Sequence, residues 1–515
     1  MKRARLVLFL LAVLTLAGLA ARFYGLSQAH SLNQDEALGA YDAYSLLLTG
    51  KDSWGQATPI LFREYGMYVN QFQSYFALPF VALLGLTEEA ARVPWALWGA
   101  LVAIAVFILG KELYGEKAGL AAALFAAFSP YLLTASRMAL PSNLVHFPVA
   151  AAIALFAIGL RKPKLLPFSA LFFGIAANTY GTLTAFVPLF LAPAALIYRK
   201  ELLRDKKQLL LAVIVLAAFA LPLAHAHLSN PASNAYYSQV SVFDTESYYN
   251  ANHDAFPQSL ASNFLSYFTP SVLTCTPQSE PYSCLLPPEI LLLALAGAVI
   301  ILYNTRKDKR ALLPLLWIAA AALSVSFFYP AGNARRYSHA LPAFLVLAGI
   351  GASWMYVQAT TNKRKALRGL ALLALAIVLA VFISTTITAL EFNHSTYPLQ
   401  YDYLHQPGWK QAVLYAESHP EYDYVFLTPN SNQAYAYVLF YTKYSPEQFQ
   451  QQSTGKSTPP GNWAAVTQVG QRYLFCQPSS CPAASNPLYL LNNGEAGNLS
   501  TLMNVPASPL VLARE

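Results

Sequence analysis

Charged residues are scarce in this chain. Only 11% of its 515 residues are charged and 56% are hydrophobic, whereas soluble domains carry about 25% charged residues. This scarcity excludes an ordinary soluble enzyme and predicts a membrane protein. The net charge of +8 does not indicate nucleic acid, because Lys and Arg form short clusters between apolar runs instead of one basic face. We therefore expect a lipid bilayer around most of the chain and no nucleic-acid partner.

Cysteine and signal-peptide features are also sparse. The chain has 4 cysteines, and their spacing predicts no metal site. Cys275 and Cys284 lie in one polar segment and Cys476 and Cys481 in another; the sequence leaves open whether each pair forms a disulfide in an oxidising exterior. The first apolar run is long and no clear small-residue cleavage site follows it. We interpret it as a retained membrane helix.

The apolar runs predict about eleven membrane-spanning helices. Spans of roughly 17–25 residues are usual, and shorter ones occur where the protein is thin. The predicted spans are Leu6–Leu26, Val93–Leu109, Ala118–Ser136, Leu144–Leu160, Leu165–Tyr180, Leu183–Tyr198, Leu209–Ala226, Pro288–Tyr303, Leu312–Tyr329, Leu341–Met355 and Leu367–Leu390. The basic clusters all fall on the cytoplasmic side if the further run Gln71–Leu86 lies at the interface without spanning. We predict that arrangement.

This topology divides the chain. Residues 1–390 form the predicted transmembrane domain, with outer loops at 27–92 and 227–287, and the latter loop contains no Lys or Arg. Residues 391–515 are more polar and mix helical and β-rich patterns, which favours a small α/β domain. The predicted fold class is therefore an α-helical polytopic membrane protein with a C-terminal extracytoplasmic α/β domain. We expect it in the cell (plasma) membrane, with its active site on the extracytoplasmic face.

An acidic pair follows the first span within "SLNQDEALGAYDAYSLLLTG". One interpretation of Asp35 and Glu36 is a solvated loop or a cap for the following helix. The other is a functional site, because arginines occur on the same outer face. Arg137 ends an outward-going span, and Arg335 and Arg336 lie in an outer turn. Guanidinium groups bind phosphate in a bidentate manner, so these residues favour a lipid phosphate as substrate.

The segment "EEAARVPWALWGALVAIAVFILGKELYGEKAGLAAALFAAFSPYLLTASRMALP", preceded by the Asp-Glu loop and followed later by an Arg-Tyr turn, resembles the GT-C class of glycosyltransferases. The likeness is greatest to the protein O-mannosyltransferase and aminoarabinose transferase group, over roughly residues 5–200 and more loosely 330–360. It implies a polyprenyl-phosphate sugar donor and a protein, lipid or glycan acceptor. It also implies Asp35 as catalytic base, Glu36 as its neighbour, and Arg137 and Arg336 as phosphate ligands.

The sequence departs from that group at one position. Where a second carboxylate often follows the matching arginine, this chain has Ser142 and then Asn143, neither of which can act as a carboxylate base. The sequence predicts no specific cofactor and leaves a divalent metal ion open, with Asp35, Glu64 and His146 as candidate ligands. Arg335 and Tyr337 are further candidates for the donor-phosphate site. The candidates for the substrate cavity are Glu64, Tyr65, Ser142, Asn143, Tyr180 and His339.

Two other functions remain open at this stage. A transporter or flippase for a lipid-linked or polyol substrate would also have many spans, but such proteins usually carry internal repeats and a midplane site, and no matching halves are evident here. An oligosaccharyltransferase or ligase would use a similar carrier and move a whole glycan. One carboxylate and one or two arginines are sufficient for transfer of a sugar, since the carboxylate accepts a proton and arginine stabilises the leaving phosphate.

Overall fold

The protein's structure is a computed structural model. It describes residues 2–26, 32–64, 67–70, 72–234, 241–242, 256–276, 279, 283–306, 308–392, 395, 407–428, 434–453, 466–492, 495, 497, 499–505, 508 and 510–514. The predicted site residue Tyr65 lies outside the described residues.

Helices dominate the first 391 residues. They are α1 (Lys2–Phe23), α2 (Gln34–Thr49), α3 (Gln73–Leu84), α4 (Glu88–Tyr114), α5 (Glu116–Phe128), α6 (Pro130–Ala135), α7 (His146–Gly159), α8 (Leu166–Thr179), α9 (Gly181–Ile197), α10 (Arg199–Leu202), α11 (Lys206–Ser229), α12 (Phe256–Ser266), α13 (Pro270–Leu273), α14 (Pro288–Asn304), α15 (Leu313–Ser326), α16 (Ala334–Tyr337), α17 (Leu341–Thr361) and α18 (Lys365–Glu391). A short hairpin of β1 (Phe62–Glu64) and β2 (Met67–Val69) lies between α2 and α3.

Each predicted span coincides with helical structure, which confirms the predicted fold class. Within the described residues, 7 helical segments are long and apolar enough to cross a membrane. The run predicted to lie at the interface contains only α3, which has 12 residues. At 1.5 Å per residue that helix is about 18 Å long, shorter than a hydrocarbon core of about 30 Å. Helices of 13 and 14 residues also occur within predicted spans, so the interfacial position of α3 stays a prediction.

Small residues allow the helices of the bundle to approach closely. Gly297 on α14 faces α17, and a Cβ built there would lie 1.9 Å from the carbonyl oxygen of Leu347. Gly351 on α17 makes the reciprocal close contact, because a Cβ built there would lie only 2.2 Å from the carbonyl oxygen of Leu293. Such contacts are typical of membrane helices, which associate by close packing and not by the hydrophobic effect.

The C-terminal part contains the predicted mixture of helices and strands. Its helices are α19 (Trp409–Ser418), α20 (Ala434–Tyr441) and α21 (Pro446–Ser453), and its strands are β3 (Tyr424–Leu427), β4 (Gln468–Val469), β5 (Tyr473–Phe475), β6 (Pro487–Asn492), β7 (Ser500–Asn504) and β8 (Leu510–Arg514). The strand order is β4-β5-β3-β6-β8-β7. Strand β3 runs parallel to both of its neighbours, whereas β8 is antiparallel to β6 and β7.

Helix α2 shares a hydrophobic core with this C-terminal part. Buried Leu38 and Tyr41 belong to the same cluster as Trp409 and Tyr437. The hydroxyl of Tyr41 donates a hydrogen bond of 2.9 Å to the carbonyl oxygen of Tyr444. The helix that begins with the acidic pair is therefore packed between the membrane helices and the C-terminal part.

All four cysteines form disulfides, which answers the question that the sequence left open. One joins Cys275 to Cys284 and the other joins Cys476 to Cys481. Each closes a short local loop on the predicted outer side, as expected for an oxidising compartment.

Candidate functional site

The first turn of α2 is fixed by a capping box. The side chain of Asn33 accepts a hydrogen bond of 2.9 Å from the backbone N–H of Asp35, and the backbone N–H of Asn33 donates to Oε2 of Glu36 at 2.9 Å. The capping residue is thus Asn33 and not Asp35, which removes the capping alternative considered from sequence. Asp35 occupies a rigid first turn with a partly buried side chain.

Glu36 is held by a buried ion pair. Its Oε1 and Oε2 accept from Nε and Nη2 of Arg92 at 2.8 and 2.9 Å, and both side chains are fully buried. Oε1 also accepts from the backbone N–H of Ala139 at 2.7 Å. Together with the capping bond, these contacts occupy both carboxylate oxygens. Glu36 joins α2 to α4 and to the segment after α6, and this geometry favours a positioning role over proton transfer.

Arg137 has a different environment from the one predicted. Its Nη1 donates to the carbonyl oxygens of Ala21, Arg22 and Tyr24, and its Nη2 donates to Gly25 at 2.9 Å. These groups form the end of α1, whose last carbonyls have no partner within the helix. The buried guanidinium therefore completes the end of that helix, and its geometry favours this structural role over phosphate binding.

Arg335 and Arg336 lie in the outer turn that contains α16. Asn333 caps this short helix by accepting from the backbone N–H of Arg336 at 3.1 Å. The guanidinium of Arg336 donates to the carbonyl oxygen of Tyr329 and lies 5.8 Å from the ring centroid of Phe328. Both arginines are partly exposed. Unlike Arg137, they are not enclosed by the protein.

Tyrosines surround these two arginines. Arg335 interacts electrostatically with the phenol of Tyr131, and Arg336 with that of Tyr267. Tyr180 interacts with both phenols and follows α8 directly. Tyr337 is buried, with its ring centroid 5.1 Å from that of Tyr267.

One hydrogen bond links the end of α8, which precedes Tyr180, to the β1–β2 hairpin that contains Glu64. Asn70, just after β2, donates to the carbonyl oxygen of Ala177 near the end of α8 at 3.3 Å. Glu64 ends β1 of this hairpin, and Tyr180 directly follows α8. The hydrogen bond therefore places the hairpin that contains Glu64 next to the end of the helix that precedes Tyr180.

A second carboxyl group lies close to Asp35. Glu64 is 3% exposed. Burial, together with the negative charges of Asp35 and Asp42, holds the pKa of its carboxyl well above the usual range. Its Oε1 is buried and has no hydrogen-bond partner among the described residues. Glu64 therefore favours its protonated form, in which it can donate a hydrogen bond.

Sequence analysis missed two further acidic residues of this region. Asp42 accepts from the backbone N–H of Ser53 at 2.9 Å, and burial and the charge of Asp52 raise its pKa from 3.8 to about 8. Burial raises the pKa of Asp52 to about 6. Asp42 follows Asp35 by seven residues, which places both on one face of α2. That spacing was the available signal.

These shifts predict how stability depends on pH. Because the folded protein holds protons on Asp42 and Asp52 that the unfolded chain releases near pH 4, the free energy of unfolding should fall as the pH rises from about 4 to 8. Thermal unfolding of the detergent-solubilised protein at a series of pH values measures this slope. Asp42→Asn should flatten it, whereas an equal slope in wild type and Asp42→Asn would contradict the assignment.

The residues proposed as metal ligands do not assemble into a site. His146 is buried, with Nδ1 2.9 Å from the carbonyl oxygen of Asn143 and Nε2 3.1 Å from Oγ of Ser338. Among the described residues, no three His, Cys, Asp or Glu side chains could together hold a metal ion. Asp35, Glu64 and His146 therefore form no three-residue group of this kind, and both ring nitrogens of His146 lie within hydrogen-bonding distance of protein oxygens. Metal binding by any one of these candidates stays a prediction.

The other candidates occupy well-packed positions. The hydroxyl of Ser142 and the amide of Asn143 bond within their own short segment. His339 is buried, with Nδ1 3.0 Å from the carbonyl oxygen of Arg336 and Nε2 3.4 Å from Oγ of Ser324. These contacts support the outer turn and leave the substrate roles of these three residues as predictions.

Comparison with known proteins identifies the architecture. The structure of ArnT from Cupriavidus metallidurans bound to undecaprenyl phosphate aligns with 98% of this chain and 97% of its own, with a TM-score of 0.61 and 15% identity. The chain has the GT-C fold. The resemblance predicted from sequence is thereby confirmed, and the GT-C fold extends over nearly the whole chain.

Other comparisons agree with the GT-C fold. Residues 72–225 match the family model of dolichyl-phosphate-mannose-protein mannosyltransferase. The oligosaccharyltransferase AglB from Archaeoglobus fulgidus, in complex with an inhibitory peptide and a dolichol-phosphate, aligns with 85% of this chain and 64% of its own, with a TM-score of 0.53 and 14% identity. No curated protein sequence matches the chain.

Proposed function

We propose that this protein is a membrane glycosyltransferase that moves a sugar from a polyprenyl-phosphate donor to an acceptor, with Asp35 as general base. The observation that carries the proposal is the rigid placement of Asp35: its own turn is capped by Asn33, and the next residue is fixed by the buried Arg92. A general base requires such fixed geometry. The GT-C fold and the undecaprenyl phosphate and dolichol-phosphate bound by its relatives support the donor class.

The chain's own residues supply the chemistry. Asp35 accepts the proton of the acceptor hydroxyl, whose oxygen then attacks the anomeric carbon of the donor sugar. The bond from that carbon to the phosphate oxygen breaks, and the leaving phosphate carries the developing negative charge. Arg335 and Arg336, partly exposed in the outer turn, stabilise that charge, so no separate general acid is needed.

Two carboxyl groups near Asp35 have supporting roles. Glu36 positions the first turn of α2 through Arg92 and Ala139. Glu64, held protonated by burial and by the charge of Asp35, is available to donate a hydrogen bond. This division of roles replaces the predicted catalytic pair with one base, one positioning residue and one hydrogen-bond donor.

A direct assay tests the reaction. Purified protein in nanodiscs is incubated with undecaprenyl phosphate carrying radiolabelled glucose, mannose or aminoarabinose, together with a membrane extract as the source of acceptor. We expect sugar-free carrier to accumulate with one of these donors while the label moves to the acceptor. A parallel assay with the protein reconstituted in vesicles tests transport, and movement of the intact labelled lipid between leaflets without carrier release would indicate a flippase. An oligosaccharide-loaded carrier is tested alongside the three donors, and activity confined to it would indicate an oligosaccharyltransferase.

We also propose that the active site and the C-terminal part are extracytoplasmic, on the basis of the basic clusters. Because all four native cysteines are in disulfides, single cysteines can be introduced at the exposed positions Gln56, Glu421 and Lys309. In intact cells, a membrane-impermeant maleimide should label the first two and not the third. Labelling of Lys309→Cys with protection of the other two positions would show that the proposed topology is the wrong way round.

A further inference from the structure

Four buried polar side chains surround the face of α2 that carries Asp35. They are Glu64 at the end of β1, Gln73 and Ser74 in the first turn of α3, and Tyr435 on α20 of the C-terminal part. None is more than 4% exposed. Oε1 of Glu64, both amide atoms of Gln73 and the hydroxyl oxygens of Ser74 and Tyr435 have no hydrogen-bond partner among the described residues.

Contacts and charges place these groups together. A Cβ built on Gly39 would lie 3.4 Å from Nε2 of Gln73 and 3.9 Å from Oγ of Ser74. Gly39 follows Asp35 by four residues, so it lies one helical turn further along the same face. Tyr435 interacts electrostatically with Glu64 and Asp42, and Glu64 with Asp35. The four side chains therefore approach α2 from three different elements.

Unpaired buried polar groups are unusual and costly. The large majority of buried side-chain polar atoms in folded proteins have a protein or water partner, and each exception requires a physical reason. The four exceptions beside the proposed catalytic base therefore need partners from outside the protein, either water or a ligand. The set combines hydroxyl, amide and carboxyl groups, so it can both donate and accept hydrogen bonds.

This combination matches a polyhydroxylated ring. A divalent cation would need several carboxylates in one coordination sphere, and the described residues provide no such group. We propose that Gln73, Ser74 and Tyr435 are specificity-determining residues that bind the hydroxyl groups of the donor sugar, so that the C-terminal part contributes directly to donor recognition. This inference rests on the proposed function and extends it to the choice of sugar.

The test compares two carriers that differ only in the sugar. Binding of undecaprenyl phosphate carrying the sugar accepted in the transfer assay, and of sugar-free undecaprenyl phosphate, is measured on the full-length protein in nanodiscs. Tyr435→Phe and Gln73→Met retain size and remove the polar atoms. We expect each to weaken binding of the sugar-bearing carrier by about threefold to tenfold, the loss of one hydrogen bond, while binding of the sugar-free carrier stays unchanged.

Stability provides an independent readout. Because each variant removes a buried unpaired group, the apparent unfolding temperature of the ligand-free protein should stay equal or rise. Tyr473→Phe is the matched control, since it makes the same chemical change in the C-terminal part but removes a hydroxyl that donates to Glu417. It should leave the ratio of the two carrier affinities unchanged.

The outcomes separate the two proposals. If wild type transfers sugar but both variants change the two affinities equally or not at all, the groups are solvated by water and the inference is wrong while the proposed function stands. If the wild-type protein neither binds any of the sugar-bearing carriers nor releases sugar-free carrier from them, both the proposed function and this inference are wrong.

Discussion

Asp35→Asn should reduce the rate of sugar transfer by about 10²-fold or more while the affinity for the lipid carrier changes little. The substitution keeps the size and hydrogen-bonding capacity of the side chain and removes only its ability to accept the acceptor's proton, a contribution typically on the order of 10² to 10⁴ in rate. Helix stability should be unaffected, because Asn33 and not Asp35 caps α2. Steady-state transfer and carrier binding by the purified variant measure the two quantities.

The matched control is Asp205→Asn. Asp205 caps α11 by accepting from the backbone N–H of Gln208 at 3.1 Å, on the predicted cytoplasmic side. Since Asn caps a helix about as well as Asp, this control should retain full activity. Retention of most activity by a well-folded Asp35→Asn protein would exclude Asp35 as the base.

Arg92→Met should destabilise the protein by about 3–5 kcal/mol, because it leaves the buried carboxylate of Glu36 without its counter-charge. Both side chains of this pair are fully buried. Glu36 also fixes the turn that carries Asp35, so the remaining folded protein should show a reduced rate of transfer. Denaturant unfolding in detergent micelles, together with transfer assays on the folded fraction, measures both effects.

Arg161→Met is the control for this prediction. Arg161 pairs with Glu112 at 3.1 Å but its side chain is 60% exposed, and such surface pairs contribute about 0–1 kcal/mol. It should therefore have little effect on either measurement. Similar losses from Arg92→Met and Arg161→Met would show that the buried pair has no special importance.

The sequence predicted the helices well and the side-chain partners poorly, for a physical reason. A run of apolar residues identifies a span locally, so every predicted span coincides with helical structure. The partner of Glu36 lies 56 residues away, and only three-dimensional packing selects Arg92 over other arginines. Similarly, arginines near the outer face of the membrane were expected to have partners, and Arg137 has them in the carbonyl groups of α1. Its binding of a donor phosphate stays a prediction.

The surroundings of Asp35 and Glu64 could not be predicted from sequence, because they include residues of the C-terminal part. Sequence analysis named Glu64 but neither Gln73 nor Ser74, because an amide and a hydroxyl in apolar surroundings are usually ordinary packed residues. Their proposed role depends on being buried without partners among the described residues, a condition that is set by elements far apart in the chain. Asp42 could have been predicted from the sequence, since its spacing of seven residues from Asp35 places both on one face of a helix.

The core shared by α2 and the C-terminal part has a consequence for biosynthesis. Tyr41 and its hydrogen-bond partner Tyr444 are separated by 403 residues, and ribosomes add about 5–20 residues per second. The helix that carries Asp35 therefore leaves the ribosome about 20 to 80 s before the residues that complete its packing. During that interval the side of α2 that packs on the C-terminal part has no native partner, so this shared core is completed only after the C-terminal residues have been made.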